Sequence, residues 1–279
     1  MSSNGYKTDR APVANGSEVM CGRYVITSSP DAIRQLFQYP EQPNFPPQFN
    51  VAPTQPVPVV FLENGLRHFR LMRWGLIPAW VKDPRTFALV INARSETVLE
   101  KPAFRNAMAR RRCLLPADGY YEWQQSSGRK RAFFIHRRDH APIAFAGLIE
   151  TWSGPHGEEM DTVAIITAPA NRELAPLHHR VPVAIAPADF DRWLDGGTFS
   201  AAEVMPLLVA PPDGVFAWHE VSTAVNHVAN DEPGLISPVD PKQEQDVDVA
   251  SSKDKATARA KRSRSDRPRA GDDAQGTLF

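Results

Sequence analysis

The chain has 279 residues, 42% hydrophobic and 23% charged, with 32 Lys and Arg matched by 32 Asp and Glu. That make-up suits a soluble globular protein of one large or two small domains, and a formal charge of zero excludes a uniformly basic nucleic-acid binder while leaving room for a local basic face. No apolar run approaches the roughly 18 residues that cross a bilayer, and the N-terminal segment lacks the apolar centre of a signal peptide, so a cytoplasmic protein with no membrane partner is expected.

Residues 1–20 are polar and without periodicity, and are expected to form a disordered leader. Foldable sequence begins at "MCGRY", and "SSPDAIRQLF" then predicts a helix with Ser29 as N-cap and Pro30 in the first turn. "VPVVFL" predicts a strand, and "RSETVLEKPAFRNAMA" a helix broken near Pro102. "RCLLPADGYYEW", "RAFFIH", "APIAFAGLIETW", "DTVAIITA" and "VPVAIA" are short, rich in β-branched and aromatic residues and bounded by Gly, Pro, Asp or Ser, which predicts strands. "QQSSGRK" and "SGPHGEE" read as hairpin loops between them. "PADFDRWLDGG" predicts a helix stopped by glycine, and "SAAEVMPLL" a helix opened by a Ser200/Glu203 capping box. Successive strands with few helices imply an α+β fold: one domain over 21–238, with a mainly antiparallel sheet or barrel core and peripheral helices. Residues 239–279 read as a disordered tail, acidic at first (Asp240, Glu244, Asp246, Asp248) and basic from Lys253 to Arg269.

The cysteines, Cys21 and Cys113, are read as free thiols in a reducing compartment, with Cys113 a buried structural one. CxxC, HExxH and Gly-rich phosphate loops are absent, so no metal and no cofactor is expected. Several clusters nevertheless carry chemistry. "MCGRY" sets a thiol beside Gly22 and Arg23, "INARSET" holds Asn92 and Arg94, "GYYEW" holds Glu122, and "LHHRVP" sets His178 and His179 before Arg180. Each also has an ordinary reading. Trp74, Trp80 and Trp123 suit a core, Glu122 suits an exposed strand position, and adjacent histidines on a strand face opposite ways. Arg105 with Arg110, Arg111 and Arg112 reads equally as a solvated helix end or as part of a phosphate-binding face with interleaved aromatics for stacking bases.

In order, "MCGRY", "FNVAPTQ", "MRWGLIPAW", "INARSET", "CLLPADGYYEW", "AGLIETW", "IITAPAN" and "LHHRVP" resemble the SRAP family (SOS-response-associated peptidase), which shields abasic sites in single-stranded DNA. The resemblance implies Cys21 as nucleophile with Asn92, Glu122 and His178 as the other active-site groups. It implies DNA contacts at Arg23, Asn50, Pro53, Trp74, Arg94, Thr167 and Arg180, and a monomer working at the nucleoid. The last motif departs from the family pattern, which often has Asp and Met where His179 and Val181 stand.

A cysteine with a free amine is a 1,2-aminothiol: the amine condenses with the aldehyde of a ring-opened abasic site, and the thiol then closes a thiazolidine. Glu122 is the expected acceptor of the amine's proton, and His178 the group that protonates the sugar ring oxygen. Such a site also admits lyase activity. The amine is blocked if Met20 stays attached, so either translation starts at Met20 or the site cleaves the Met20–Cys21 bond itself. The competing readings are a general cysteine peptidase using Cys21, His178 and Asn92, and a noncatalytic adaptor. The adaptor reading rests on the terminal "QGTLF", in which Gln275, Leu278 and Phe279 resemble the bacterial sliding-clamp-binding peptide.

Overall fold

The short apolar runs form strands because they are buried on both faces. In the computed structural model, which describes residues 21–126 and 129–239 and of Ser126 and Arg129 only the backbone, twelve strands are seen. They are β1 (Tyr24–Ile26), β2 (Gln48–Val51), β3 (Pro56–Glu63), β4 (Leu66–Trp74), β5 (Asn92–Arg94), β6 (Arg112–Ala117), β7 (Gly119–Ser126), β8 (Arg129–Arg137), β9 (Ile143–Ser153), β10 (Glu159–Pro169), β11 (Arg180–Pro182) and β12 (Phe216–Val221). Four short helices accompany them among the described residues: α1 (Pro30–Phe37), α2 (Arg105–Arg110), α3 (Phe190–Leu194) and α4 (Ala201–Val204). The expectations for residues 1–20 and 240–279, including the peptide at Gln275, Leu278 and Phe279, lie outside the described residues.

The fold is α+β with a barrel core. β10 pairs with β4, β4 with β3, β3 with β6, β6 with β9, and β9 again with β10, so the ladder closes on itself. Closure removes the unpaired edges that an open sheet would expose. The pairings are antiparallel except along β10, which runs parallel to β4 and then to β5. A second, five-stranded sheet in the order β12-β8-β7-β1-β2 lies against the barrel.

Alternation along the barrel strands explains the apolar runs. In β9, Ile143, Phe145 and Ile149 enter the core shared with the second sheet, whereas Ala144, Ala146 and Leu148 face the helices. Strands covered on both sides cannot spare alternate positions for polar residues. Burying one such side chain is worth about 1.5–3 kcal/mol. The outer core is completed by Ile33 and Phe37 of α1, Met108 of α2 and Trp193 of α3. Ser29 caps α1 by accepting from the Ala32 N–H, and the Ser200/Glu203 capping box opens α4.

Several elements differ from expectation. "RCLLPADGYYEW" is two strands, because Asp118 turns the chain and its carboxylate accepts from the Thr27 and Ser28 N–H groups at 2.5 and 2.7 Å. The helix expected over 94–109 shrinks to a 3-10 turn at Ser95–Thr97 and to α2. β4 carries no strand signal of its own: "LRHFRLMRW" puts Arg67, Arg70 and Arg73 among its apolar residues, and its pairing is imposed by β3. No helix among the described residues is long and apolar enough to cross a membrane.

Candidate active site

Cys21 enters the site because of strand register. Tyr24 of β1 pairs with Tyr120 of β7, and this antiparallel register, continued outward, runs Gly22 and Cys21 alongside Glu122. Tyr121 packs on the outer side of the second sheet, so Glu122, like Tyr120, faces the barrel. The backbone of Cys21 turns at a φ of 35°, and its nitrogen donates to Glu122 Oε1 at 3.0 Å. Both residues are withdrawn from water, at 1% and 3% exposure.

Burial, and secondarily the Glu122 charge, push the Cys21 thiol well above the usual thiol range. Tyr24 and Tyr120 are pushed up chiefly by the same burial. Among the described residues the Tyr24 hydroxyl has no hydrogen-bond partner. A raised thiol pKa means less thiolate at any given pH, so iodoacetamide at about pH 8 is expected to label Cys21 at least about tenfold more slowly than free cysteine, which titrates near 8.5. Labelling, read by mass spectrometry of the Cys21 peptide, should accelerate above that range. Glu122→Gln removes the second cause and should bring part of the acceleration to lower pH.

Asn92 opens β5, which lies parallel to β10 with Asn92 opposite Ile165. Its neighbour Ile91 shares the core that contains Cys21, and the Ile91 carbonyl accepts from the Trp74 indole at 3.1 Å. His178 is half-buried between Leu177 and the head of β11, and Leu177 and Val181 belong to that same core. The Arg180 N–H donates to His178 Nδ1 at 3.1 Å, which leaves the proton of a neutral ring on Nε2. The exposed His179 ring lies 4.3 Å from that of His178. Cys21 and Glu122 are therefore in contact, and Ile91 and Leu177, which precede Asn92 and His178, line the same core.

The residues expected to touch DNA divide sharply. Arg94 is exposed, and Pro53 is half-buried in the turn after β2. Arg23 is part-buried, donates to Asn50 and to the Val225 carbonyl, and lies 6.0 Å from the Trp123 ring. Trp74 is fully buried, its ring 5.4 Å from that of Tyr24. Two tryptophans are exposed among the described residues: Trp80, at 61%, in the excursion from β4 to β5, and Trp218, at 42%, on β12. Asn50 is likewise internal, its amide donating to the carbonyls of Val225, His227 and Asn230. Thr167 is buried against Arg180.

The arginine run also resolves into different jobs. Arg105 and Arg110 are exposed, Arg111 pairs with the buried Glu150 at 2.5 Å, and Arg112 is 2% exposed. The Arg112 guanidinium donates to the carbonyls of Trp193, Met108, Asp195 and Phe199. It is a structural pin. The sequence reading also passed over Glu96, which holds both ends of the Arg180 guanidinium, although an acidic residue inside "INARSET" was a visible signal. That contact pulls the Glu96 carboxyl down to about 2. Its folded pKa thus lies below the unfolded value, so its contribution to stability is complete above about pH 4.3 and is lost as the pH falls toward 2. Acid unfolding scans should show that loss in the wild type and not in Glu96→Gln.

Among the described residues no group of three or more His, Cys, Asp or Glu side chains is arranged to hold a metal ion.

A family model for the SOS response associated peptidase (SRAP) matches residues 20–228. The chain belongs to the SRAP family. It is 35% identical over 221 residues to the abasic site processing protein YoaM of Bacillus subtilis, covering 78% of this chain and 97% of that protein. It is 31% identical over 266 residues to the abasic site processing protein HMCES of Gallus gallus, covering 79% and 78% respectively. An X-ray structure of a protein from Bacteroides thetaiotaomicron has the same fold, with a TM-score of 0.70 at 22% identity over 78% of this chain and all of that one.

Proposed function

We propose that this protein captures abasic sites in single-stranded DNA by forming a covalent thiazolidine through Cys21, with the Cys21–Glu122 contact as the carrying observation. The curated relatives named above are abasic site processing proteins, which supports the substrate class. The chemistry runs in two steps. The amine of Cys21 adds to the sugar aldehyde and expels one water to give an imine. The thiol sulfur then adds to the imine carbon while its proton passes to the nitrogen, closing the five-membered ring.

Glu122 Oε1 lies 3.0 Å from the nitrogen that must lose a proton, the distance a general base needs. A thiol held in its neutral form fits an order in which the amine attacks first. His178, with the proton of its neutral ring on Nε2, supplies the donor for opening the sugar, and Asn92 an amide to orient the product. Arg94 and Arg23 grip phosphates, with an affinity that falls as salt rises. Trp80 provides an exposed ring on which an unpaired base stacks.

The same chemistry requires that Cys21 be the first residue of the reacting species. The test combines intact-mass measurement with incubation on an abasic single strand. A denaturation-resistant adduct carrying the mass of a chain that starts at Cys21 is expected. An adduct on a chain that retains Met20 rules the thiazolidine out.

A further inference from the structure

Arg180 begins β11 and is 6% exposed, yet its guanidinium is fully engaged on two sides. Nε donates to Thr167 Oγ1 at 3.2 Å, and Nη2 to the Thr167 carbonyl at 2.5 Å. Nη1 and Nη2 donate to the two carboxylate oxygens of Glu96 at 2.5 and 2.8 Å. Glu96 lies in the turn that follows β5, just past Asn92 and Arg94, and its side chain is 47% exposed. It therefore closes on Arg180 from the solvent side, while Thr167 of β10 supports it from within. A planar fork on a carboxylate admits essentially one arrangement, so the pair fixes the Arg180 side chain and, through its short tether, the main chain from which it springs.

That main chain holds His178. The Arg180 N–H donates to Nδ1 at 3.1 Å, and the Arg180 carbonyl lies 3.3 Å from the same nitrogen. The N–H suits a ring whose Nδ1 is bare, and the carbonyl suits an imidazolium whose Nδ1 carries a proton. One residue thus offers a partner in either protonation state without moving the ring, which is what a group that gives and regains a proton needs.

We propose that Glu96 is a positioning residue for His178, acting through Arg180. The consequence for rate rests on the abasic-site reading, whereas the consequence for the His178 ring does not. The rival role for Glu96 is that of an internal stand-in for a DNA phosphate, which would compete for Arg180 and do nothing for His178.

The experiment compares the full chain with Glu96→Gln and Glu96→Asp in three measurements: the rate of adduct formation at saturating abasic single strand, the affinity for the same strand undamaged, and the nitrogen NMR shifts of the His178 ring. Glu96→Gln loses the charge that locks the fork and should slow adduct formation by about 10–100-fold, the scale on which small misplacements of a reacting group act. Its affinity for undamaged strand should be unchanged, and its His178 ring should show a mixture of tautomers in place of Nε2–H alone. Glu96→Asp keeps the charge and should recover part of both. Wild-type rate with wild-type ring shifts in Glu96→Gln overturns the proposal, as does tighter DNA binding at an unchanged rate. Should Glu96→Gln fail to fold, Glu96→Ala takes its place, and wild-type rate with wild-type ring shifts in that variant also overturns the proposal. If the wild type forms no adduct at all, the abasic-site reading fails, and the ring shifts still decide the role of Glu96.

Discussion

Replacing Cys21 with alanine is expected to lower the yield of denaturation-resistant adduct on an abasic single strand by about three orders of magnitude or more, the scale of removing a nucleophile from a built site. The physical reason is that both bonds to the aldehyde carbon are made by this one residue. An alanine variant produced so that residue 21 is its first residue keeps an amine, and with it a reversible imine that denaturation and washing will lose. Borohydride trapping should recover that imine as an amine, which separates loss of the thiol from loss of DNA binding. Cys21→Ser should behave like alanine in the untrapped assay, because a hydroxyl is a much weaker nucleophile than a thiol at neutral pH. Alanine is smaller than cysteine and apolar, so it fits the buried position that the thiol holds in the core, and affinity for undamaged strand should be retained. An undiminished stable adduct in Cys21→Ala would sink the mechanism, and full function without any adduct in the wild type would favour an adaptor.

The second large effect concerns stability. Arg112→Ala strips the partner from four main-chain carbonyls, those of Trp193, Met108, Asp195 and Phe199, and removes the cation lying 5.6 Å from the Trp193 ring. An unsatisfied buried polar group costs about 1–3 kcal/mol, and disruption of a buried network falls in the long tail of mutational effects, so a loss of about 3–5 kcal/mol is expected. For a domain of this size each kcal/mol lowers Tm by about 2–4 °C, which puts the fall at about 6–20 °C. Arg110→Ala, two positions away on the exposed end of α2, should change stability by less than about 0.5 kcal/mol. Thermal unfolding of the two variants side by side checks the contrast. Equal small effects would mean that Arg112 is no more than a surface arginine.

Much of the fold was legible because its signals are local. β-branched runs bounded by turn residues marked β3, β8, β9 and β10, and the caps at Ser29 and Ser200 sit at their helix starts. The elements that were missed lack such signals. β1 and β5 span three residues each and exist only because longer strands pair with them, and β4 and β12 carry charged or polar residues along their lengths. The helix expected after β5 fails because "SETVLEKP" has no continuous apolar face to bury, so only a turn and the short α2 remain.

By itself the sequence determined the residue types of the site and the family to which the chain belongs, because ordered short motifs survive as text whatever the chain does in space. It also determined that β3, β6, β9 and β10 are covered on both faces, since continuous apolar runs leave no polar side to turn toward water. Which charged and aromatic groups are free to act was decided only by tertiary structure. Cys21 and Glu122 meet across 101 positions, Arg180 and Glu96 across 84, and Arg112 and Trp193 across 81. Burial and hydrogen-bond partnership are set by residues that distant, so a buried Trp74 or an internally bonded Asn50 reads in the sequence just as an exposed one would.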